Sequence, residues 1–335
     1  MEPDAVDSVG REPHGSSDDP DVLDFSANAN PVVPDGAREV YEAAFDDART
    51  YPEEPPAEFR AAAADYVGCE PEAVVPAPGG LAAIRLAVAT TVTPGDSVLV
   101  PAPSFGEYER EVRLQGGEPV VRPHDRIPEA DPAGHAMAVV CNPNNPTGDA
   151  YDADALRAFA ARCRETGTLL LIDEAFLGFT DRPSLSGEPG VVVARALTKL
   201  FGLPGLRAGF AVATGRPRER LLAARRTWNL GRPALDVGAY CMRQSGFVAA
   251  TRERVREERA RLRAALSTRY EVHPSEAPYL LLGVENADEV VTTARERGVA
   301  IRDARTFRGL DSHVRVAVRL PDENDRLLEA LGVDP

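Results

Sequence analysis

The chain has 335 residues, 43% hydrophobic and 27% charged. This is the composition of an ordinary globular protein, long enough for a large core split into two domains. Acidic residues outnumber basic ones 53 to 38, for a net charge of −15; a field of that sign repels nucleic acid and anionic membranes and excludes both as partners. No apolar run approaches the roughly 18 residues that span a bilayer. The polar, acidic stretch from Met1 to Asp21 does not read as a secretory signal, so the cytoplasm is the expected compartment.

Only one of the 38 basic side chains is a lysine, Lys199; the rest are arginine. An acidic, lysine-poor surface suits a high-salt (halophilic) cytoplasm, and a GC-rich genome replacing Lys with Arg is the other source of the same pattern. The four cysteines, Cys69, Cys141, Cys163 and Cys241, form no CxxC pair and have no His at ligand spacing. They read as small buried hydrophobes, with no metal site.

In chain order, residues 1–20 are rich in Gly, Ser, Pro and Asp and are expected to be loosely held. Glu58–Tyr66 has a helical pattern, and Leu81–Thr90 is an apolar helix opened by Gly79-Gly80. Short apolar runs at Ser97–Val100, Met137–Cys141, Thr168–Ile172, Val191–Ala194 and Gly209–Ala213 read as buried strands. Between the second and third, Asp154–Glu165 places Leu156, Phe159, Ala160 and Cys163 on one helical face, with Gly167 as a stop. Strands alternating with helices indicate an α/β fold with a mostly parallel sheet covered on both faces. After about residue 235 the texture changes. Val248–Thr268 is a long Arg/Glu-rich helix, followed by a strand at Tyr279–Val284, a helix at Ala287–Arg297, a strand at Val314–Val318 and a final helix. The expected organisation is a flexible segment over 1–20, a large domain over 45–235, and a small α+β domain made of 21–44 with 236–335.

Ligands of open α/β sheets sit at the carboxyl ends of the strands. Four polar features fall at strand ends here: Asn142-Pro143-Asn144-Asn145-Pro146-Thr147-Gly148, Asp173-Glu174-Ala175-Phe176, Thr198-Lys199, and Pro204-Gly205-Leu206-Arg207. A carboxylate buried at a strand end needs a cationic partner. Pyridoxal 5′-phosphate (PLP) offers one in its protonated ring nitrogen, and its aldehyde forms an imine with a lysine. Its phosphate needs amides and an Arg fork, which Gly79-Gly80 at a helix start and Arg207 supply.

These residues resemble fold-type I PLP-dependent enzymes of the aspartate-aminotransferase-like fold. Within them the chain is most similar to the threonine-phosphate decarboxylases of the histidinol-phosphate aminotransferase-like branch. The similarity runs through Leu23–Pro31 (LDFSANANP), Tyr51-Pro52, Pro103–Tyr108 (PSFGEY), NPNNPTG at 142–148, DEAF at 173–176, LTK at 197–199, PGLRAGF at 204–210 and RVAVR at 315–319. The resemblance implies that Lys199 carries the cofactor, Asp173 pairs its ring nitrogen, Asn145 bonds its phenolic oxygen and Phe105 stacks on its face. It implies that Thr198, Arg207 and the Gly79 and Gly80 amides hold the phosphate, and that Tyr51 reaches it from a partner subunit, which makes the protein a homodimer. Arg315 matches the arginine for the substrate carboxylate, and Arg302, Arg319, His14 and Asn28 are candidates for a substrate phosphate. The implied reaction is decarboxylation of L-threonine O-3-phosphate to (R)-1-aminopropan-2-ol phosphate for cobalamin synthesis, with histidinol-phosphate or another class I/II aminotransferase as the alternative. The family's phosphate loop usually reads GNGE or GADE, whereas this chain has Ala77-Pro78-Gly79-Gly80. Pro78 has no amide proton to donate. Ala196 replaces a frequent hydroxyl residue, and Gly231–Ala234 replaces the decarboxylases' Trp-Ser-Val-Asn.

Overall fold

The structure, a computed structural model, describes all residues from 1 to 335. A first short strand, β1 (Leu23–Asp24), lies apart from the central sheet. That sheet has seven strands: β2 (Val74–Ala77), β3 (Ser97–Ala102), β4 (Glu118–Pro123), β5 (Met137–Cys141), β6 (Leu169–Asp173), β7 (Val191–Ala196) and β8 (Gly209–Ala213). Their spatial order is β2-β8-β7-β6-β5-β3-β4. Only β8 runs against its neighbours, pairing antiparallel with both β2 and β7.

Every residue of β5 and β8 is buried, as are almost all of β6 and β7. Inner strands covered on both faces must be apolar throughout, so they stand out in the sequence as unbroken runs. The outer strands are harder to read. β4 (EPVVRP) is largely solvent-facing, and β2 (VVPA) contains Pro76, which an edge strand tolerates; neither is among the strands expected above.

Alternate residues feed opposite cores. Leu171, Val139 and Val192 pack on one face with the helix Gly80–Ala89, in a cluster of 20 buried residues. Leu170, Ile172, Val140 and Val193 belong to a cluster of 58 that is larger because it runs on into the C-terminal region through Leu282, Val316 and Leu327. The helix Ala153–Thr166 is fixed at both ends by local chemistry. The Asp152 carboxylate accepts from the amides of Asp154 and Ala155, and Gly167 takes the left-handed conformation at the end (φ 77°).

The remaining strands are β9 (Glu271–Val272), β10 (Tyr279–Gly283), β11 (Val299–Ala300), β12 (Arg302–Asp303) and β13 (His313–Ala317). Four of them form an antiparallel sheet in the order β12-β13-β10-β9, and β11 pairs in parallel with β1. The 22-residue helix Ser245–Leu266 lays Val248, Thr251, Val255, Leu262 and Leu266 onto the shared core.

Residues 1–20 differ from the loose tail expected. Pro3–Ser8 is a helix, and the segment is tied down by polar contacts rather than by burial. Glu2 donates its amide to Leu114 O, Arg110 Nε donates to Gly10 O, and Arg302 Nη2 donates to Pro13 O. The composition that disfavours a core does not disfavour this kind of attachment. No helix is long and apolar enough to cross a membrane.

Candidate active site

The reversal of β8 explains why features after three strands and before a fourth meet. Cys141 pairs with Asp173, Asp173 with Ala194, and Ala196 with Gly209, which pairs in turn with Ala77. The ends of β5, β6, β7 and β2 and the start of β8 therefore form one row. Above it lies a cavity of about 380 Å³ whose lining includes Gly80, Phe105, Tyr108, Asn145, Asp173, Thr198, Lys199 and Arg207 from the sheet side. Asn28, Arg302, Arg315, Phe307 and His14 close the other side.

Asp173 is 6% exposed. One oxygen accepts from Tyr108 Oη at 2.7 Å and the other from the Ala175 amide at 3.0 Å. No cation bonds to it. Burial pushes its pKa up, and the Tyr108 hydroxyl is the main influence the other way. Tyr108 is itself fully buried.

Lys199 sits in the short helix Leu197–Leu200 that ends β7, with its carbonyl held by the Asn30 amide at 2.8 Å. Burial, aided by the charges of Arg315 and Arg207, pulls its amine down to about 8. An amine lowered this way has a larger unprotonated fraction near neutrality than an ordinary lysine, and the unprotonated form is the one that attacks a carbonyl.

Arg207 adopts a left-handed backbone (φ 55°) that few non-glycine residues take. Opposite it, Gly79 has φ 95°, and a Cβ there would lie 2.8 Å from the Arg207 guanidinium. The loop is thus a close-approach cradle in which only glycine fits, and it leads into the free amides of the helix Gly80–Ala89. Thr198 is buried beside it.

On the far side, Arg315 is buried. It donates to Asn145 Oδ1 and to Ser26 O and stacks over Tyr279 and Phe307, while its Nε has no partner. Burial lowers its pKa to about 10, so it stays charged at neutral pH. Arg302 donates to Pro13 O and to Thr306 Oγ1 at 2.7 Å. Asn28 is buried with Oδ1 unpartnered. His14 Nε2 lies 3.1 Å from Glu107, with its ring 5.7 Å from that of Phe105.

These features fit PLP. Asp173 is a buried carboxylate lacking a cation, Lys199 is a softened amine, Gly79 and Gly80 with Arg207 form an anion cradle, and Phe105 is a flat aromatic wall.

Two expected residues lie elsewhere. Arg319, a candidate for the substrate phosphate, is outside the cavity; it grips Glu323 with two nitrogens, donates to Asp24 O and covers Phe25. An arginine just before a helix start is drawn to the acids of its first turn, here Asp322 and Glu323. Tyr51 is 77% exposed and stacks on Trp228 (4.3 Å between centroids), away from the cavity of its own chain. Conversely, Tyr108 lines the cavity and Glu107 holds His14 at its mouth, roles that the sequence alone does not assign to them. The aromatic-polar cluster PSFGEY that contains them was the available signal.

Comparison with known proteins agrees with this geometry. The model of the family described as aminotransferase class I and II matches residues 20–331. Histidinol-phosphate aminotransferase 1 of Archaeoglobus fulgidus is 30% identical, covering 92% of this chain and 98% of its own. Threonine-phosphate decarboxylase of Salmonella typhimurium is 31% identical, covering 92% and 90%. Among solved structures, L-threonine-O-3-phosphate decarboxylase from Porphyromonas gingivalis superposes with a TM-score of 0.83 at 25% identity over 93% of this chain and 98% of that one. Histidinol-phosphate aminotransferase from Sinorhizobium meliloti in complex with pyridoxal-5′-phosphate shares the fold (TM-score 0.80, 21% identity, covering 92% and 89%). The chain therefore belongs to the aminotransferase class I and II family and has the fold of PLP-dependent enzymes of fold type I.

Proposed function

We propose that the protein is a PLP-dependent carboxy-lyase that decarboxylates L-threonine O-3-phosphate, giving (R)-1-aminopropan-2-ol phosphate for cobalamin synthesis. The observation that carries this reading is a second anion site across the cavity from Lys199, separate from the Gly79/Arg207 cradle. Buried Arg315 and Arg302 stand there together, with His14 at the mouth. Two arginines suit a compact substrate with a carboxylate at one end and a phosphate at the other. The cavity, about 380 Å³ in all, must also hold the cofactor, which favours a small substrate body.

When bound, PLP supplies an electron sink for negative charge at the substrate's Cα. Lys199 would hold it covalently, Asp173 would pair its ring nitrogen, Asn145 would bond its ring oxygen and Phe105 would stack on its face. Thr198, Arg207, Gly79 and Gly80 take its phosphate. Tyr51 comes from the partner subunit of a homodimer, a reading that fits its exposure and its stacking on the exposed Trp228. Arg315 binds the substrate carboxylate, and Arg302, His14 and Asn28 bind its phosphate. Fixing both ends of the substrate would orient its Cα relative to Lys199, and that orientation would decide between loss of CO2 and loss of a proton. Once released, the Lys199 amine delivers the proton that replaces the lost carboxylate at Cα.

The rival reading, amino transfer from histidinol phosphate, rests on relatives of that name at similar identity. Incubating holoenzyme with threonine phosphate, and separately with histidinol phosphate plus 2-oxoglutarate, separates the two. Release of CO2 with formation of aminopropanol phosphate supports the proposal. Glutamate formation without CO2 overturns it in favour of the aminotransferase.

A further inference from the structure

A second concave site lies where the loop after Asp173 meets the long helix. Its cavity, about 340 Å³, is lined by Arg182, Arg252, Arg256 and Arg259 against only two acids, Asp181 and Glu276. In a chain where acids exceed bases 53 to 38, a pocket with the ratio reversed is unusual. Arg252, Arg256 and Arg259 sit at i, i+4 and i+7 of Ser245–Leu266, so they share one helical face.

The guanidiniums are positioned by the fold and only partly used. Arg259 Nη1 donates to the carbonyls of Glu276 and Ala277, and Arg252 Nε to Gly178 O. Both anchors are backbone, which leaves positive charge to be answered. Burial lowers the Arg259 pKa, the sign of a cation paying for desolvation. The acids that answer them are wet. Asp181, at 3.1 Å from Arg252, has a side chain 80% exposed, and Glu276, which Arg182 grips with two nitrogens, is 41% exposed. Arg256 pairs with Glu253 on the exposed flank. Ion pairs of this kind are worth little and yield readily to a better anion. A phosphate offers each guanidinium a two-toothed, charge-assisted contact.

We propose that this pocket binds a small phosphate-bearing anion, at a site separate from the cavity above Lys199. It rests on the arginine constellation alone and not on which reaction the enzyme catalyses.

The test is calorimetric titration of PLP-loaded enzyme with inorganic phosphate at low chloride, comparing wild type, Arg256→Ser, Arg252→Gln and Arg302→Met. The expected result is a phosphate-binding event whose affinity falls about tenfold to a hundredfold in Arg256→Ser and in Arg252→Gln and which persists in Arg302→Met, whatever phosphate the cavity above Lys199 takes in addition. Turnover of the enzyme's substrate stays unchanged in Arg256→Ser, whose exposed side chain makes loss of folding an inadequate explanation. Phosphate binding unaffected by Arg256→Ser and Arg252→Gln, or abolished by Arg302→Met alone, overturns the proposal. Either result is independent of whether threonine phosphate is decarboxylated.

Discussion

Asp173 and Glu174 are consecutive, almost fully buried carboxylates at the end of one strand, and their surroundings differ completely. Strand alternation sends them to opposite faces. Glu174 meets Arg195 Nη1 at 3.1 Å, the Ser184 hydroxyl at 2.6 Å and the Leu185 amide at 3.1 Å. Asp173 meets a tyrosine hydroxyl and one amide. Burial pushes both pKa values up; the leading counterweight is a cation, Arg195, for Glu174 and a neutral hydroxyl for Asp173. A carboxylate whose counter-charge is built in serves the fold. One whose counter-charge is missing, at the wall of a cavity, is arranged for a cation that arrives with a ligand.

That contrast can be broken in four ways. The largest effect belongs to Lys199→Ala, which removes the amine facing Asp173. Turnover should fall to background while circular dichroism stays native. Residual turnover within tenfold of wild type would mean that another group carries the chemistry.

Next are the two carboxylates themselves. Asp173→Asn should lower kcat/KM by about a hundredfold to a thousandfold and leave the melting temperature of the apoprotein unchanged or higher. Glu174→Gln should do the reverse, costing about 3–5 kcal/mol of stability by stranding Arg195. Steady-state kinetics and denaturant melts on the pair decide it, and matching phenotypes would erase the distinction.

A smaller effect is expected for Tyr108→Phe. Losing its hydrogen bond raises the Asp173 pKa further, so kcat should drop about tenfold, with the largest loss at the low end of the pH range and the smallest at the high end. The smallest effect concerns pH. Lys199 titrates near 8 in the fold against its ordinary 10.5. Between those values the unfolded chain binds the extra proton, so this group makes the apoprotein more stable as pH rises through that window, and its burial penalty is fully present below about 8. The stability difference between wild type and Lys199→Met should therefore shift in favour of wild type from about pH 8 to 10.5; a flat difference would mean that the amine is not held in a desolvated site.

Much of this was legible in the chain. The inner strands declare themselves because double burial forces unbroken apolar runs such as MAVVC and VVVA, and the site residues follow from polar motifs placed at their ends. The edges were not legible, because β4 buries no residue fully and β2 carries a proline. Asp173 could be named from sequence, but its lack of a cation could not, since that depends on which residues of distant segments face it. Tyr108 was hidden for the same reason: 65 residues separate it from the carboxylate it supports. Arg319 misled because an arginine near a binding strand looks the same in sequence whether it faces a ligand or caps a helix.

The most direct test of the account uses the single lysine. Borohydride reduction of the PLP-loaded protein, followed by peptide mapping by mass spectrometry, should place one cofactor adduct per chain on the peptide containing Lys199 and none in Lys199→Ala. An adduct confined to the amino terminus, or no adduct on a protein saturated with PLP, would contradict it.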